Sequence, residues 1–402
     1  MGNKKFSFVE MFVGAGGSHL GFKKQGDFKT ILVSDIEEDM CKTFKYNNPE
    51  VPNVIQDDIH NLTGKQILDL TNLKKGELDV IFGGVVCKGF SLAGVRSSSD
   101  TRNDLYKKYI SLVKELQPKV AIIENVPGMA SMMIKDGDEF SEKKKEQINN
   151  AWMNLKKLNG IKSSIRKGQA SEEMKKEAKE IESNKADYRK LIKEGSMSVI
   201  DDIKLLYKKA GYNVIEPKIL TASNYGSATT RRRLIIVAIR KDFDYTKFEF
   251  PPKKTLTPLS VAQAFNKIDY KKEDLDNLPM VHNEKTIRRF KYIPEGHNIV
   301  DVMDKLPKEL KISKFYSRGC TMRLDRNKPA PTLVPGHSNF PVHPTEDRSI
   351  TIREGAVIMG FPINYKFFGS HTSRCEQVGQ AVVVDMAEAL AEVTSKFLKE
   401  QS

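Results

Sequence analysis

The chain has 402 residues and a formal net charge of +14, with 66 Lys and Arg against 52 Asp and Glu. This excess favours a polyanionic partner, with nucleic acid ahead of a membrane surface, although solvated lysine faces give the same balance. No apolar run reaches membrane-spanning length and no apolar leader follows the N-terminus, which disfavours membrane and secreted classes. The length suffices for one large domain and a smaller one.

The cysteines are few and far apart in the sequence: Cys41, Cys87, Cys320 and Cys375. They form no Cys-x-x-Cys pair, so that neither a zinc site nor a disulfide framework is indicated. Unpaired cysteines are typical of reducing compartments. We therefore expect a cytoplasmic protein without a metal centre.

A glycine-rich turn follows the first predicted strand. Residues 6–13 predict this strand, and the glycines within 14–17 lead into a helix. Such glycines let the backbone approach a ligand closely, and no Gly-Lys-Ser/Thr follows, which excludes a P-loop. The second predicted strand, residues 30–34, ends at Asp35, about twenty residues past the glycines, where a carboxylate can accept hydrogen bonds from ribose hydroxyls. The pattern favours a nucleoside-type cofactor over a simple tight turn.

The next two strands end at polar residues. Residues 53–55 predict a short strand just before Asp58 and Ile59, a carboxylate and an aliphatic side chain that suit the edge and face of an adenine. Residues 78–82 predict a buried strand that leads to Cys87. Lone cysteines after strands are usually structural, but the adjacent lysine favours the reactive thiolate.

Charged residues stand at the ends of two more predicted strands. Residues 119–123 predict a buried strand, and Glu124 follows it at the sheet edge that also holds Cys87. Residues 231–233 are all arginines and lead into the strand 234–239. Such a cluster occurs on plain surfaces, but it can also hold a phosphate or a base carbonyl.

The composition changes abruptly between about residues 135 and 197, where Lys, Glu, Ser and Asn replace most apolar residues. Residues 171–194 predict one charged helix with many short-range Glu/Lys pairs. A solvated helical insertion is favoured here over a nucleic-acid-binding arm. After a linker at 251–254, residues to about 349 predict a smaller, irregular region with a basic face.

Two predicted helices follow this region. The first opens at residues 350–354 and ends before a Gly-Phe-Pro sequence. The last places its apolar residues on one face, which predicts that it packs back on the first domain. These residues are Val382, Met386, Leu390, Val393 and Phe397.

In this order, the blocks resemble the DNA (cytosine-5) methyltransferases over nearly the whole chain, apart from the lysine-rich insertion and the variable region. Seven motifs in series carry the resemblance, whereas any one of them is weak evidence. They are Phe12 to Gly17 with Asp35, Asp58-Ile59, Cys87, Glu124-Asn125-Val126, Arg231 with Arg233, Arg353-Glu354 with Gly360-Phe361-Pro362, and Gln377-Val378-Gly379.

The resemblance implies S-adenosyl-L-methionine as cofactor, S-adenosyl-L-homocysteine as product, no metal, and three sets of site residues. The catalytic set is Cys87, Glu124, Arg231 and Arg233. The cofactor set is Phe12, Gly14, Gly16, Gly17, Asp35, Ile36, Asp58, Ile59, Gln380 and Ala381. The DNA-binding set is Lys88, Ser91 and Arg102 on the loop after the cysteine, with Thr332 and Leu333.

The resemblance also implies an α/β fold, in which a doubly wound, Rossmann-like methyltransferase domain carries a second, smaller, irregular target-recognition domain. Residues 1–250 plus 370–402 would form the catalytic, cofactor-binding domain, with the charged insertion at about 135–197. Residues 251–369 would form the target-recognition domain and hinge. The implied partner is double-stranded DNA, bound by a monomer of the bacterial restriction-modification type, with a restriction endonuclease acting on the same sequence as a further partner.

The sequence departs from the family at three places around the site. Val86-Cys87-Lys88 stands where the family has Pro-Cys-Gln, Ala228-Thr229 replaces a Pro-Gln pair, and Gln380 replaces Asn. These changes keep open a catalytically weakened or inactive DNA-binding relative. A second alternative is an RNA cytosine-5 methyltransferase, because one branch of the family acts on transfer RNA. A third is a generic nucleotide-binding α/β protein, which the serial motifs disfavour.

Overall fold

The computed structural model describes residues 5–85, 105–135, 141–166, 168–194, 196–254, 257–312, 319–336 and 340–401. Cys87 and the predicted DNA-binding residues Lys88, Ser91 and Arg102 lie outside these residues. Within the described part, no helix is both long and apolar enough to cross a membrane.

Ten strands occur in the described residues. They are β1 (Phe6–Met11), β2 (Phe28–Asp35), β3 (Asn53–Gln56), β4 (Val80–Gly83), β5 (Val120–Asn125), β6 (Met133–Lys135), β7 (Ser196–Ser198), β8 (Tyr212–Val214), β9 (Lys218–Thr221) and β10 (Arg232–Arg240). Strands β6 and β7 pair only with each other, and the other eight form one sheet in the order β3-β2-β1-β4-β5-β10-β8, with β9 beside β10. The first five sheet strands are parallel, and β10 is antiparallel to its neighbours.

The described helices are α1 (Gly17–Gln25), α2 (Glu38–Asn47), α3 (Gly64–Thr71), α4 (Leu105–Leu116), α5 (Glu142–Arg166), α6 (Glu172–Ser183), α7 (Lys185–Glu194), α8 (Val199–Ala210), α9 (Val261–Phe265), α10 (Glu284–Phe290), α11 (Ile352–Ile358), α12 (His371–Gln380) and α13 (Val384–Glu400). Alternate strand residues bury into two separate apolar clusters, because successive side chains of a strand point to opposite faces. Phe8 and Phe82 pack with α1 and α13, whereas Val9 and Ile81 pack with α3, α4 and α8. Burial on both faces explains why the central strands are continuous apolar runs.

The strand order reverses between β1 and β4, which both lie in the middle of the sheet. In open α/β sheets, ligands bind outside the carboxyl ends of the strands at such a reversal. The fold therefore confirms the predicted doubly wound, Rossmann-like α/β class and indicates where the site lies.

The charged insertion contains three helices rather than one. The predicted helix over 171–194 is wrong in its continuity, because it consists of α6 and α7 separated at Asn184. The Asn184 side-chain amide donates to the Glu180 carbonyl oxygen at 3.2 Å and so competes with helix continuation. The ribbon of β6 and β7 joins the insertion to the rest of the chain.

The second region contains short helices and 3-10 turns, as its irregular pattern predicts. One small apolar cluster, which includes Phe290, Ile299 and Leu310, belongs to this region alone. Its other buried residues, such as Phe265 and Leu324, share the cluster that covers one face of the sheet. The two parts of the chain are therefore in continuous apolar contact.

Buried ion pairs also connect the second region to the last helices. Nε of Arg353 lies 2.6 Å from Oδ2 of Asp274, and Nη2 lies 3.2 Å from Oδ2 of Asp276. Nη1 of Arg374 on α12 lies 2.8 Å from the other oxygen of Asp276. The block that begins with Arg353 thus fixes α11 and α12 to the segment around Asp276 and does not face the cavity described below.

Helix α13 packs closely on α1, as the apolar face of the last predicted helix indicates. Gly21 lies at the closest approach, where an added Cβ would lie 2.5 Å from Cβ of Ala387 and 2.7 Å from the Val384 carbonyl oxygen. Only glycine therefore fits this contact without moving the helices.

We expect Gly21→Ala to lower the free energy of unfolding by about 2–3 kcal/mol, because the methyl group overpacks the α1–α13 contact. The matched control is Gly160→Ala on α5, where an added Cβ meets nothing within 4 Å. That change should raise stability by about 0.5–1 kcal/mol through helix propensity. Urea denaturation of both variants measures the difference, and equal effects would contradict the packing argument.

Candidate active site

A cavity of about 740 Å³ lies at the carboxyl ends of the central strands. The ends of β1, β2, β4 and β5 form its floor, and the start of β10, residues 332–335 and the end of α12 complete its wall. The sheet topology thus assembles the cavity from segments that are far apart in the sequence.

One end of the cavity is formed by the glycine-rich turn after β1. Phe12 and Gly14 both have left-handed backbone geometry, with φ of 58° and 55°. The Gly14 amide donates to Oδ2 of Asp35 at 2.8 Å, and the Glu37 amide donates to Oδ1 at 3.0 Å. Burial raises the pKa of Asp35, and these two hydrogen bonds oppose that effect. The turn and the carboxylate therefore hold each other in place.

Apolar side chains stand beside this carboxylate. Ile36 is 57% exposed although it is aliphatic, and it lines the cavity together with Met40 and the buried Ile59. The Asp58 carboxylate accepts from the His60 amide at 2.9 Å. A flat apolar ring with a polar edge is the kind of group that fits between such residues.

Two glycines of the predicted cofactor set, Gly16 and Gly17, are not among the cavity-lining residues. An added Cβ at Gly16 would lie 2.8 Å from the Phe44 ring, and one at Gly17 would lie 2.0 Å from the Val382 carbonyl oxygen. Their lack of a side chain is therefore required for packing at the start of α1. Phe12, Gly14, Asp35, Ile36, Asp58, Ile59, Gln380 and Ala381 of the same set all line the cavity.

A buried acid–base pair forms the other end of the cavity. Antiparallel pairing of β10 with β5 brings Arg233 to Glu124, with Nε 2.6 Å from Oε1. Burial raises the pKa of Glu124, and the guanidinium opposes this rise. Burial likewise lowers the pKa of Arg233, and the carboxylate of Glu124 opposes this fall. Oε1 of Glu124 accepts no well-directed hydrogen bond from the described residues, so the contact is mainly electrostatic.

Asn125 holds the chain that leads towards Cys87. Its side-chain amide donates to the Val85 carbonyl oxygen at 2.9 Å, and its Oδ1 accepts from the Val126 amide at 2.8 Å. Val85 is the last described residue before that stretch, and it lines the cavity. All three residues of the Glu-Asn-Val motif thus line the cavity, and Asn125 also supports the end of the neighbouring strand.

The Arg231 guanidinium is 2% exposed and donates to three backbone carbonyl oxygens. These belong to Leu333 at 3.1 Å, Gly379 at 2.8 Å and Gln380 at 3.2 Å. Arg231 therefore joins three segments of the cavity wall, while Arg233 faces the carboxyl of Glu124. Thr332 and Leu333 of the predicted DNA-binding set lie on one of these segments and line the cavity.

Some lining residues carry no local signal in the sequence. Met40 comes from the side of α2, and Glu376 from the side of α12. Neither belongs to a motif, since a methionine or glutamate on a helix is usually a core or surface residue. Only the packing of these helices beside the sheet places them at the cavity.

A family model described as C-5 cytosine-specific DNA methylase matches residues 6–146 and 188–396. The chain therefore belongs to the C-5 cytosine-specific DNA methylase family, and the predicted enzyme class, DNA (cytosine-5) methyltransferase, is confirmed. The residues between the two matched parts, 147–187, lie in the charged insertion.

Curated relatives agree over nearly the full chain. The type II methyltransferase M.PspPI of Psychrobacter sp. is 29% identical over 98% of this chain and 80% of its own length. The type II methyltransferase M.Eco47II of Escherichia coli is 27% identical over 96% of this chain and 78% of its own length. The similarity thus extends across both parts of the chain.

Solved structures show the same fold. A crystal structure described as a prophage-encoded DNA modification methyltransferase of Escherichia coli has a TM-score of 0.65 at 21% identity, covering 98% of this chain and 100% of that one. The crystal structure of DNMT2 of Spodoptera frugiperda has a TM-score of 0.53 at 19% identity, and the match covers 97% of this chain and 100% of that one. At these identities the likeness concerns the fold alone.

A second buried carboxyl lies beneath the glycine-rich turn. Glu10 on β1 is 1% exposed, accepts from the Ser18 hydroxyl, and has no described partner at Oε2. Burial is the main cause that raises the pKa of Glu10 to about 8 from its ordinary 4.5. The folded protein therefore keeps this carboxyl protonated at neutral pH.

We expect the contribution of Glu10 to thermal stability to fall as pH rises from about 4.5 to about 8, because in that range the unfolded Glu10 releases a proton that the folded carboxyl retains. Glu10→Gln removes this titration and should flatten that part of the profile. Thermal denaturation between about pH 5 and 9 checks it. The control Glu38→Gln changes an exposed carboxyl whose pKa Lys42 lowers, so its slope should match the wild type. Parallel wild-type and Glu10→Gln profiles would contradict the assignment.

Proposed function

We propose that this protein transfers a methyl group from S-adenosyl-L-methionine to C5 of a cytosine flipped out of duplex DNA, through a covalent adduct with Cys87. The observation that carries the proposal is the single cavity that holds the Gly14–Asp35 turn at one end and the buried Glu124–Arg233 pair at the other. A methyl donor and a base would meet between them.

The residues at the first end fit the cofactor. Asp35 suits the ribose hydroxyls, and Ile36 with Ile59 suits the adenine ring. The lining of this end is acidic, with carboxylates at Asp35, Glu37, Asp57, Asp58 and Glu376. Such a lining favours a cationic ligand, and the cofactor, when bound, supplies a methyl group on positively charged sulfur.

Glu124 fits the edge of a cytosine in its protonated form. Cytosine presents an acceptor at N3 and a donor at its exocyclic amine. A protonated carboxyl offers both a donor and an acceptor, whereas a carboxylate only accepts. The raised pKa of Glu124 therefore supports the role of a group that donates a proton to N3 as negative charge develops in the ring.

The two arginines have separate roles in this proposal. Arg233 fixes the Glu124 carboxyl and presents positive charge towards the O2 oxygen of the base. Arg231 is a positioning residue, because its Nη1 and Nη2 donors are engaged by backbone carbonyl oxygens of the wall.

The reaction begins with the Cys87 thiolate. The sulfur adds to C6 and forms a C–S bond, the ring electrons move to N3, and N3 takes the proton from Glu124. C5 then becomes nucleophilic and would take the methyl group from the sulfonium sulfur, which keeps the electrons of the broken S–C bond, and N3 returns its proton to Glu124. Loss of the C5 proton to water and expulsion of the thiolate restore the aromatic ring. Because stacking hides both C5 and C6, the base must leave the duplex before this chemistry.

The departures from the family pattern bear on the inactive alternative. Thr229 is fully buried, its hydroxyl accepts from the Arg231 amide at 3.2 Å, and it donates to the Pro331 carbonyl oxygen at 3.2 Å. Gln380 is held through its backbone by Arg231. Thr229 is thus held in the segment that leads to Arg231, and the backbone of Gln380 is held in the cavity wall, which favours an active enzyme. Val86 and Lys88 lie outside the described residues.

The long region between Arg233 and α11 favours duplex DNA over RNA, because it is large enough to contact base edges in the major groove. We further propose that the enzyme acts as a monomer in the cytoplasm. A restriction endonuclease specific for the same sequence would be its cellular counterpart.

Expression in a bacterial host without cytosine methylation, followed by bisulfite sequencing of the host DNA and transfer RNA, tests the activity. We expect methylation of one short DNA sequence by the wild type and none by Cys87→Ala, because the alanine lacks the nucleophile. Methylation confined to RNA would establish the RNA alternative. An unmethylated genome with soluble protein that binds DNA would establish the inactive relative.

Glu124→Gln should lower the methylation rate by roughly 10²–10⁴-fold, because the amide retains a donor and an acceptor for the base but has no acidic proton to transfer. DNA affinity should change by only a few-fold. Single-turnover rates across a pH series check this, since the wild-type rate should decline at high pH where Glu124 loses its proton. An unchanged rate in the variant would exclude Glu124 as the acid.

A further inference from the structure

The charged insertion begins close to the active-site cavity. Val126 lines the cavity, and a 3-10 turn over Pro127–Ser131 connects it to the start of β6 at Met133. Seven residues span at most about 24 Å even when fully extended. The Val199 amide donates to the Met132 carbonyl oxygen at 2.9 Å and anchors this junction to α8. The distance from the cavity to the root of the insertion is therefore shorter than one helical turn of a DNA duplex whose base occupies the cavity.

The insertion is a built structure with its own core. Leu158 and Ile161 of α5 pack against Ala178 and Ile181 of α6, with Tyr188 of α7 beside them. Lys144 Nζ lies 3.0 Å from Oε2 of Glu194, which ties the start of α5 to the end of α7. The 25-residue α5 is about 37 Å long, close to one turn of B-form DNA.

The insertion is also basic, with 15 Lys and Arg against 9 Asp and Glu over residues 141–194. In its outer part, lysines of α5 pair with glutamates of α6: Lys157 with Glu177 and Lys162 with Glu182. Additional pairs join neighbours along the chain there. Four lysines of the outer part are thus paired within the insertion.

The end near the root also carries exposed cations. Four of them have no ion pair with any described residue, and we call them the root cluster: Lys143, Arg189, Lys190 and Lys193. They differ from the unpaired lysines of the outer part in lying at the end of the insertion that joins the β6–β7 ribbon. Arg189, Lys190 and Lys193 lie within five consecutive residues of α7, which leads directly to β7. The Lys144–Glu194 pair brings Lys143 to the same end.

We propose that the root cluster binds phosphates of the duplex beside the flipped cytosine, so that the insertion is an additional DNA backbone clamp. The proposal rests on the proposed function of the cavity in DNA methylation. Closely spaced, unpaired cations next to a site for a polyanion complement its charge, and phosphate contacts add affinity without sequence readout. The four residues of the root cluster lie just inside the matched ranges, at the two borders of the unmatched residues 147–187.

Salt dependence of DNA binding is the measurement that tests the clamp. The probe is a labelled duplex of about three helical turns that carries the sequence methylated in the bisulfite experiment. The variant is R189Q/K190Q/K193Q, and the matched control is K156Q/K176Q/K179Q. The control removes the same charge from exposed helix positions in the outer part, which likewise have no described ion pair. Gln and Lys have similar helix propensities, so that folding is comparable.

We expect the root variant to bind about tenfold more weakly near 0.1 M salt, with a salt slope lower by roughly 2–3, because each lost phosphate contact removes about 0.9 from the slope. The control should stay within about twofold of the wild type. Equal weakening in both variants would mean a general charge effect and overturn the proposal, as would no weakening in either. Methylation by the wild type in the same preparation separates these outcomes from a failure of the proposed function.

A deletion provides the second variant. Lys135 and Ser196 are partners in the β6–β7 ribbon, so an Asn-Gly turn can close the ribbon in place of residues 136–195. This protein lacks the whole cluster and should show a salt slope at least as low as that of the root variant. A wild-type slope in the folded deletion variant would overturn the clamp.

Discussion

The antiparallel pairing of β10 with β5 is the constraint on which the end of the cavity at Glu124 and Arg233 depends. It brings Arg233 against Glu124, which stands much earlier in the chain, at a separation of 2.6 Å. A buried charge is strongly unfavourable alone and is tolerated when it is paired. The strand pairing thus decides both where the carboxyl lies and how readily it is protonated, since burial raises its pKa and the arginine opposes that rise.

Arg231 extends this arrangement to the rest of the wall. Its guanidinium links β10 to the segment of Leu333 and to the end of α12 at Gly379. One of these segments comes from the second region and the other precedes the last helix, so a single side chain connects the region proposed to read DNA with the part of the wall at the end of α12. The ion pairs of Asp276 with Arg353 and Arg374 provide a parallel connection farther from the cavity.

Local patterns predicted most of the fold because the elements carry their own signals. The strand Val120–Asn125 is a continuous apolar run because both of its faces are buried, and helix α13 places its apolar residues on one side because it packs on α1. Helix α12 was not predicted, since only two helices were expected after the second region. The continuous helix over 171–194 is wrong where Glu/Lys periodicity runs on across Asn184. A hydrogen bond from the Asn184 side chain to the backbone ends α6 there, and the hydropathy pattern of the sequence gives no sign of this bond.

The sequence by itself determined the family, the sheet class and the residues at the strand ends, because motifs such as Glu124-Asn125-Val126 are short and follow one another in a characteristic order. Only the tertiary structure decided which of those residues face the cavity. It placed Gly16 and Gly17 behind the wall, directed the donors of Arg231 to backbone oxygens, and brought Met40 and Glu376 to the lining. The reason is physical: those contacts join segments that are distant in the chain, so they depend on how the helices pack against the sheet.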